Sequence, residues 1–151
     1  MPRVIVLGVG NLLLGDEGVG IHVVRELEKH DLPRNVRPID GGTGGFNLIS
    51  IIAEADHLIV VDTLAAEGEA GEVFRFTPDE VRRPRAQIRP SLHDVGLLDA
   101  LELAAASGYE PSTVIFGVVP ERIDWGEELS PRVAEAVPKV VTAVLQEIRG
   151  L

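Results

Sequence analysis

The chain opens on an unbroken apolar run, Val4 to Val9, that stops at a glycine turn. Such a run without polar alternation predicts a strand buried on both faces. From about Glu17 to His30 the period changes: Val19, Val23, Val24 and Leu27 fall on one helical stripe, and Asp16 is placed to cap it. Val36 to Ile39 reads as a short second strand ending at Asp40, followed by the flexible turn Gly41-Gly42-Thr43-Gly44-Gly45. Phe46 to Ala55 reads as a helix, and His57 to Val61 as a third strand ending at Asp62. A loop, Leu64 to Gly71, leads to Glu72–Phe76, whose alternation predicts an edge strand. Thr77 to Pro90 carries three prolines and is expected to be a long loop with one helical turn. A helix from about Asp94 to Ser107 should stop at Gly108, and Thr113 to Val119 is the last buried strand. Ser130-Pro131 predicts a helix start with serine as cap and proline in the first turn. Pro138, inside the apolar pattern Val133 to Ile148, should kink that helix or move its start.

Strands alternating with helices imply right-handed crossovers. The expected fold is therefore α/β: three layers, a mostly parallel twisted sheet of about five strands, and helices on both faces. No repeat, low-complexity tract or internal boundary divides the 151 residues, so a single domain is expected. Ligands of open parallel sheets bind outside the carboxyl ends of the strands, where strand order reverses. With strand one between strands two and three, Glu17, Asp40 and Asp62 would line one crevice, and His93 would arrive from the long loop.

Charge narrows the partners. Twenty-four acidic residues against 14 basic give a formal charge of −10, which repels phosphate backbones and anionic membranes. Nucleic acid is not expected as a partner. No apolar run reaches the ~18 residues of a membrane-spanning helix. The chain is expected to be cytoplasmic and monomeric. It has no cysteine, which removes disulfides, thiolate metal sites and a cysteine nucleophile together. The basic cluster Arg82, Arg83, Arg85 and Arg89 reads as a solvated loop, with a docking patch for an acidic partner segment as the sharper alternative.

Two carboxylates and an imidazole remain as candidate chemistry. Glu17, Asp62 and His93 form a common ligand set for a divalent metal with open coordination positions. Taken singly, each has a plain structural account. An acid in a first helical turn gains about 0.3–1 kcal/mol from the helix dipole, an aspartate can cap a turn, and a histidine can donate to a carbonyl. His22, His30 and His57 read as structural or solvated. The first loop partly matches a dinucleotide fingerprint, with Gly8-Val9-Gly10 after a strand. Its third glycine position is Leu13, however, and Asp16-Glu17 stands where a pyrophosphate needs backbone donors.

The stretch Gly-x-Gly-Asn-x-Leu-x-x-Asp-Glu-Gly-x-Gly from Gly8 to Gly20 resembles the N-terminal signature of the [NiFe]-hydrogenase maturation endopeptidases. Asp40-Gly41-Gly42-Thr43 with Gly45, the apolar strand ending in Asp62, and Ser91-x-His93-x-x-Gly96-Leu97 follow in the family's order. Gly117-Val118-Val119-Pro120 and Leu129-Ser130-Pro131 resemble its C-terminal part. Thr63 and Asp94 stand where alanine and glutamate are common. The resemblance implies an endopeptidase that removes the C-terminal extension of a hydrogenase large-subunit precursor once nickel is inserted. It carries the metal-ligand role to Glu17, Asp62 and His93, and makes Asp40 a candidate for a role in cleavage beside Glu17 and Asp62. The nickel would be carried by the substrate; zinc or cadmium could occupy the same oxygen and nitrogen donors. Without a visible Ser-His-Asp arrangement, water activated by the metal or by a carboxylate is the expected nucleophile. Two other functions stay open on the residues alone. One is a metallohydrolase acting on a small substrate; the other is a Rossmann-like nucleotide- or metal-binding protein without proteolytic activity.

Overall fold

A computed structural model describes residues 1–45, 47–82 and 92–151, with the side chains of residues 82 and 92–95 outside the described set. In chain order the elements are β1 (Val4–Gly8), a 3-10 turn (Gly15–Gly18), α1 (Val19–Leu27), β2 (Val36–Asp40), α2 (Asn47–Glu54), β3 (His57–Thr63), β4 (Val73–Phe76), α3 (Pro78–Arg82), α4 (Leu92–Ala106), β5 (Ser112–Val118) and α5 (Pro131–Arg149). The five strands form one sheet in the order β2-β1-β3-β5-β4. All neighbours pair in parallel except β4, which runs antiparallel to β5 and closes one edge. Strand one lies between strands two and three, as the crevice argument required.

Alternation along the strands divides the core between two helical layers. Val4 and Val6 of β1, Ile59 and Val61 of β3, and Val114 and Phe116 of β5 face α1 and α5, where Val23, Leu27, Val140 and Val144 are buried. Ile5 and Leu7, Leu58 and Val60, and Ile115 face the opposite layer. There Leu48 and Ile52 of α2 meet Leu97, Leu101 and Ala104 of α4. This is the expected three-layer arrangement. Both faces of β1 and β3 are buried, which is why their sequences show no polar alternation. The outer strand β2 instead carries Arg37 and Pro38, and a proline is tolerated at an edge because one unused N–H can be spared there.

Several boundaries differ from the expectation, each for a local reason. β3 continues two residues past Val61, so Asp62 and Thr63 lie inside the strand and pair with Gly117 and Val118 of β5. The first helix begins at Val19, after the 3-10 turn, rather than at Glu17. α5 starts at Pro131 and runs through Pro138 without a shifted start. Pro138 is exposed, so water can satisfy the carbonyl that loses its partner. Thr77–Pro90 contains the short helix α3. Arg83, Arg85 and Arg89, and the side chain of Arg82, lie outside the described residues, and the docking-patch reading lies outside them too. Among the described residues no helix is long and apolar enough to cross a membrane.

Candidate active site

The glycine-rich segment after β1 folds back on itself and leads into the turn that carries Glu17. The 3-10 turn that carries Glu17 packs on β3. Val9 N–H donates to Val61 O at 3.0 Å, and Asn11 N–H to Glu17 O at 3.1 Å, closing the loop. Gly20 makes this approach possible: a methyl group there would collide with the carbonyl oxygens of both Val61 and Val9. Gly10, at φ 152°, lies in a region that L side chains rarely adopt, and its Cβ would meet Glu17 O. Gly20→Ala is therefore expected to cost about 3 kcal/mol or more. It should also lower activity by displacing the turn that carries Glu17 from β3. A urea midpoint within 0.2 M or so of the parent would contradict this close approach.

Asp62 is fully buried, and its Oδ1 accepts the Thr63 N–H at 2.7 Å. Glu17 is half-buried. Both acids lie at the carboxyl edge of the sheet, Glu17 in the turn before α1 and Asp62 near the end of β3. His93 belongs to the first turn of α4. Its side chain is outside the described set, but the course of the helix fixes the end at which it lies. After α4, the connection reaches Ser112 at the start of β5, next to Asp56 O. Fifteen helical residues span about 22 Å, and the seven-residue strands span about 23 Å. The N-terminal turn of α4 therefore reaches the carboxyl edge, the edge of Glu17 and Asp62.

Asp40 sits on that edge too, level with Gly8 in the β1–β2 register. It is exposed, and its Oδ1 accepts the Gly42 N–H at 2.8 Å. Gly42 O in turn accepts Gly10 N–H at 2.8 Å, which ties the Asp40 turn to the glycine loop. Among the described residues no three His, Asp or Glu side chains gather closely enough to hold one ion. Glu17, Asp40 and Asp62 thus share the carboxyl edge without forming a three-ligand cluster among the described residues. Glu17 and Asp62 each supply hard oxygen donors of the kind a divalent metal accepts.

The largest surprise is Asp16, expected as a helix cap. It is fully buried and caps nothing: no side-chain cap bond is made at the start of the 3-10 turn or of α1. Its carboxylate instead crosses to the segment before α5. Oδ1 accepts Ser130 N–H at 2.7 Å; Oδ2 accepts Ser130 Oγ–H at 2.7 Å, Arg122 N–H at 2.8 Å and Glu121 N–H at 2.9 Å. Ser130 in turn stands at the head of α5 but gives its hydroxyl to Asp16 rather than to its own helix. Burial pushes the Asp16 carboxyl up, but the donors of Arg122, Ser130 and Glu121 outweigh it and hold the group below the usual range. The only sequence signal for this was indirect, an acid beside the candidate ligand Glu17.

The same bracing consumes the loop's donors. Gly15 N–H donates to Gly126 O at 2.7 Å, Asp16 N–H to Arg122 O at 3.1 Å and Glu17 N–H to Leu14 O at 3.2 Å. No amide of this turn is left to cradle a pyrophosphate, and two carboxylates stand in its place. His22 Nε2 lies 3.2 Å from Glu127 O, and His57 opens β3, in keeping with structural roles.

A doubly wound sheet with an acidic, phosphate-excluding turn at its carboxyl edge sets this chain apart from the nucleotide-binding proteins of similar topology. Comparison with known proteins then supplies the family. The family profile HycI, hydrogenase maturation protease, matches residues 21–147. The Hydrogenase 2 maturation protease of Escherichia coli (strain K12) is 34% identical over 149 residues, covering 97% of this chain and 91% of that protein. The hydrogenase expression/formation protein HupD of Rhodobacter capsulatus is 37% identical over 151 residues, covering 98% of this chain and 72% of that protein. The solved structure of the hydrogenase maturating endopeptidase HybD from E. coli superimposes with a TM-score of 0.86 at 32% identity, over 98% of this chain and 93% of that one. The chain belongs to the hydrogenase maturation protease family.

Proposed function

We propose that this chain is an endopeptidase that removes the C-terminal extension of a [NiFe]-hydrogenase large-subunit precursor after nickel insertion. The observation that supports the proposal is the placement of Glu17 and Asp62 at the same carboxyl edge, with the turn of the first packed on the strand of the second, in a chain of the maturation protease family. With His93, these two acids would complete the coordination of a nickel ion already held by the precursor. The ion is thus part of the substrate. Contact with it would recognise the loaded precursor and bring the scissile peptide to the site. Asp40, exposed on the same edge, is the group proposed to take a proton from the attacking water.

The experiment is a mass measurement of a co-expressed large-subunit precursor with and without this chain, repeated with nickel-free precursor. The expected result is a shortened C-terminus only when both the chain and nickel are present. Equal cleavage of loaded and nickel-free precursor would remove the recognition role from the metal.

The same donors should hold a free divalent ion, with nickel, zinc and cadmium all acceptable to oxygen and nitrogen ligands. Ni2+ at about a hundred times its dissociation constant stabilises the folded chain by ~2.7 kcal/mol. For a chain of this size that is a rise in Tm of about 5–10 °C. The rise should disappear in Glu17→Gln. A rise that survives in that variant would place the bound ion elsewhere.

A further inference from the structure

Among the described residues seven large apolar side chains are exposed, and they are not scattered evenly. Met1 and Leu151 are chain ends, and Leu103 and Tyr109 lie at the far end of α4. The remaining three, Leu13, Ile123 and Trp125, fall on two backbone segments that are bonded to each other. Gly126 N–H donates to Leu13 O at 2.9 Å, Leu14 and Gly126 form a bridge, and Asp16 fastens Glu121 and Arg122 from below. Trp125 is 83% exposed, an unusual state for a tryptophan and one that costs apolar hydration. Core packing does not explain these side chains, since none of the three belongs to either core cluster.

The patch has a charged frame. Glu121, Asp124, Glu127 and Glu128 are all exposed around it, against Arg122 alone, and among the described residues none of the four acids is in an ion pair. An exposed indole within a ring of carboxylates favours a guest that brings apolar side chains and positive charge together. Leu13 is also only four positions before Glu17 in the chain, and the bracing ties the patch to the turn that carries that acid.

We infer that Leu13, Ile123 and Trp125, framed by Glu121, Asp124, Glu127 and Glu128, are the docking platform for a segment of the precursor that carries apolar and Lys/Arg side chains next to the cleaved bond. This rests on the proteolytic reading above and deepens it, by assigning substrate recognition to a surface distinct from the acid pair. Affinity would come from the aromatic contact, and charge would steer the approach and set its salt dependence.

The test uses the full chain and the nickel-loaded precursor. Trp125→Ala and Ile123→Asp are expected to raise KM for cleavage tenfold or more while kcat changes less than twofold. Asp124→Lys combined with Glu127→Lys should raise KM and flatten its dependence on salt. Leu103→Asp, at the far end of α4, should leave both parameters unchanged. Because Trp125 is the only tryptophan, chain labelled with 5-fluorotryptophan gives one 19F resonance, expected to shift on addition of precursor. Cleavage at parental KM in the Trp125 and Ile123 variants, with an unmoved resonance, would overturn the platform while leaving the protease reading intact. A wild-type chain that cleaves no precursor at all would overturn the protease reading itself, and the platform with it. A resonance that shifts with the chain's own concentration, without precursor, would assign the patch to a second copy of this chain and likewise overturn the inference.

Discussion

Chains carrying Glu17→Gln or Asp62→Asn are expected to fold and to lose cleavage of the nickel-loaded precursor by more than about a hundredfold. The magnitude follows from the position of the two acids in the proposed site. Losing a group that merely orients a metal ligand costs 10–100-fold, and loss of a ligand itself should exceed that. Both substitutions keep side-chain volume, so packing around the buried Asp62 and the half-buried Glu17 is preserved. The fold is checked by near-UV circular dichroism and the activity by mass of the product. His93→Ala belongs to the same experiment, since α4 brings that residue to the same edge. Asp40→Asn separates the roles. If Asp40 handles the proton and not the metal, precursor binding persists while turnover falls. Near-parental cleavage by Glu17→Gln would mean that the acid pair is not the reacting centre.

The second large effect concerns stability. Asp16→Ala would strip the acceptor from three backbone N–H groups and the Ser130 hydroxyl at once. A buried donor left without a partner costs about 1–3 kcal/mol. Ser130 is buried, whereas Glu121 and Arg122 are exposed and can regain water, so a total of about 3–5 kcal/mol is expected. That is a fall in Tm on the order of 10 °C. Asp16→Asn should cost less but cannot restore the site, because its amide nitrogen would face donors. The two chains also differ in pH response. Asp16 titrates lower in the folded chain than in the unfolded one, so the unfolded chain binds the proton first. Its contribution is full above the ordinary carboxylate value of about 3.9 and fades as pH falls through the lower folded value. Asp16→Asn should lack that part of the acid-induced loss. Parallel acid titrations of Tm for the two chains would expose a wrong assignment if the curves stayed equally spaced throughout.

Much of the fold was legible because parallel sheets write themselves in apolar runs. β1 and β3 are buried on both faces, so composition alone marked them, and the alternation of Glu72–Phe76 marked the one-sided edge strand. What local reading misjudged were residues whose partners are distant in the chain. Asp16 precedes a helix, and the preference of aspartate for caps is a local rule. Its real donors lie 105 to 114 residues away. Ser130 does stand at the N-cap of α5 with proline after it, as expected, but its hydroxyl makes no cap bond and donates to Asp16 across the molecule instead. Asp62 was expected after a strand and is inside one, since pairing with Gly117 extends β3 beyond its apolar run. Of the candidate site, the placement of Glu17 and Asp62 at the carboxyl edge was legible from the glycine loop and the strand end. The exposed Leu13, Ile123 and Trp125 left no signal, because exposure of an apolar residue in a loop has no period to read.

One flank of the sheet is worth following outward. β2 is five residues long, and Pro38 leaves a gap in its row of hydrogen-bond donors. A foreign extended chain arriving at that flank would meet an interrupted template, with the charge of Arg37 beside the interruption. Stacking of one copy on another through this border is thereby discouraged. A protein whose work brings it against incompletely matured polypeptides has reason to offer them no continuous strand along which to adhere.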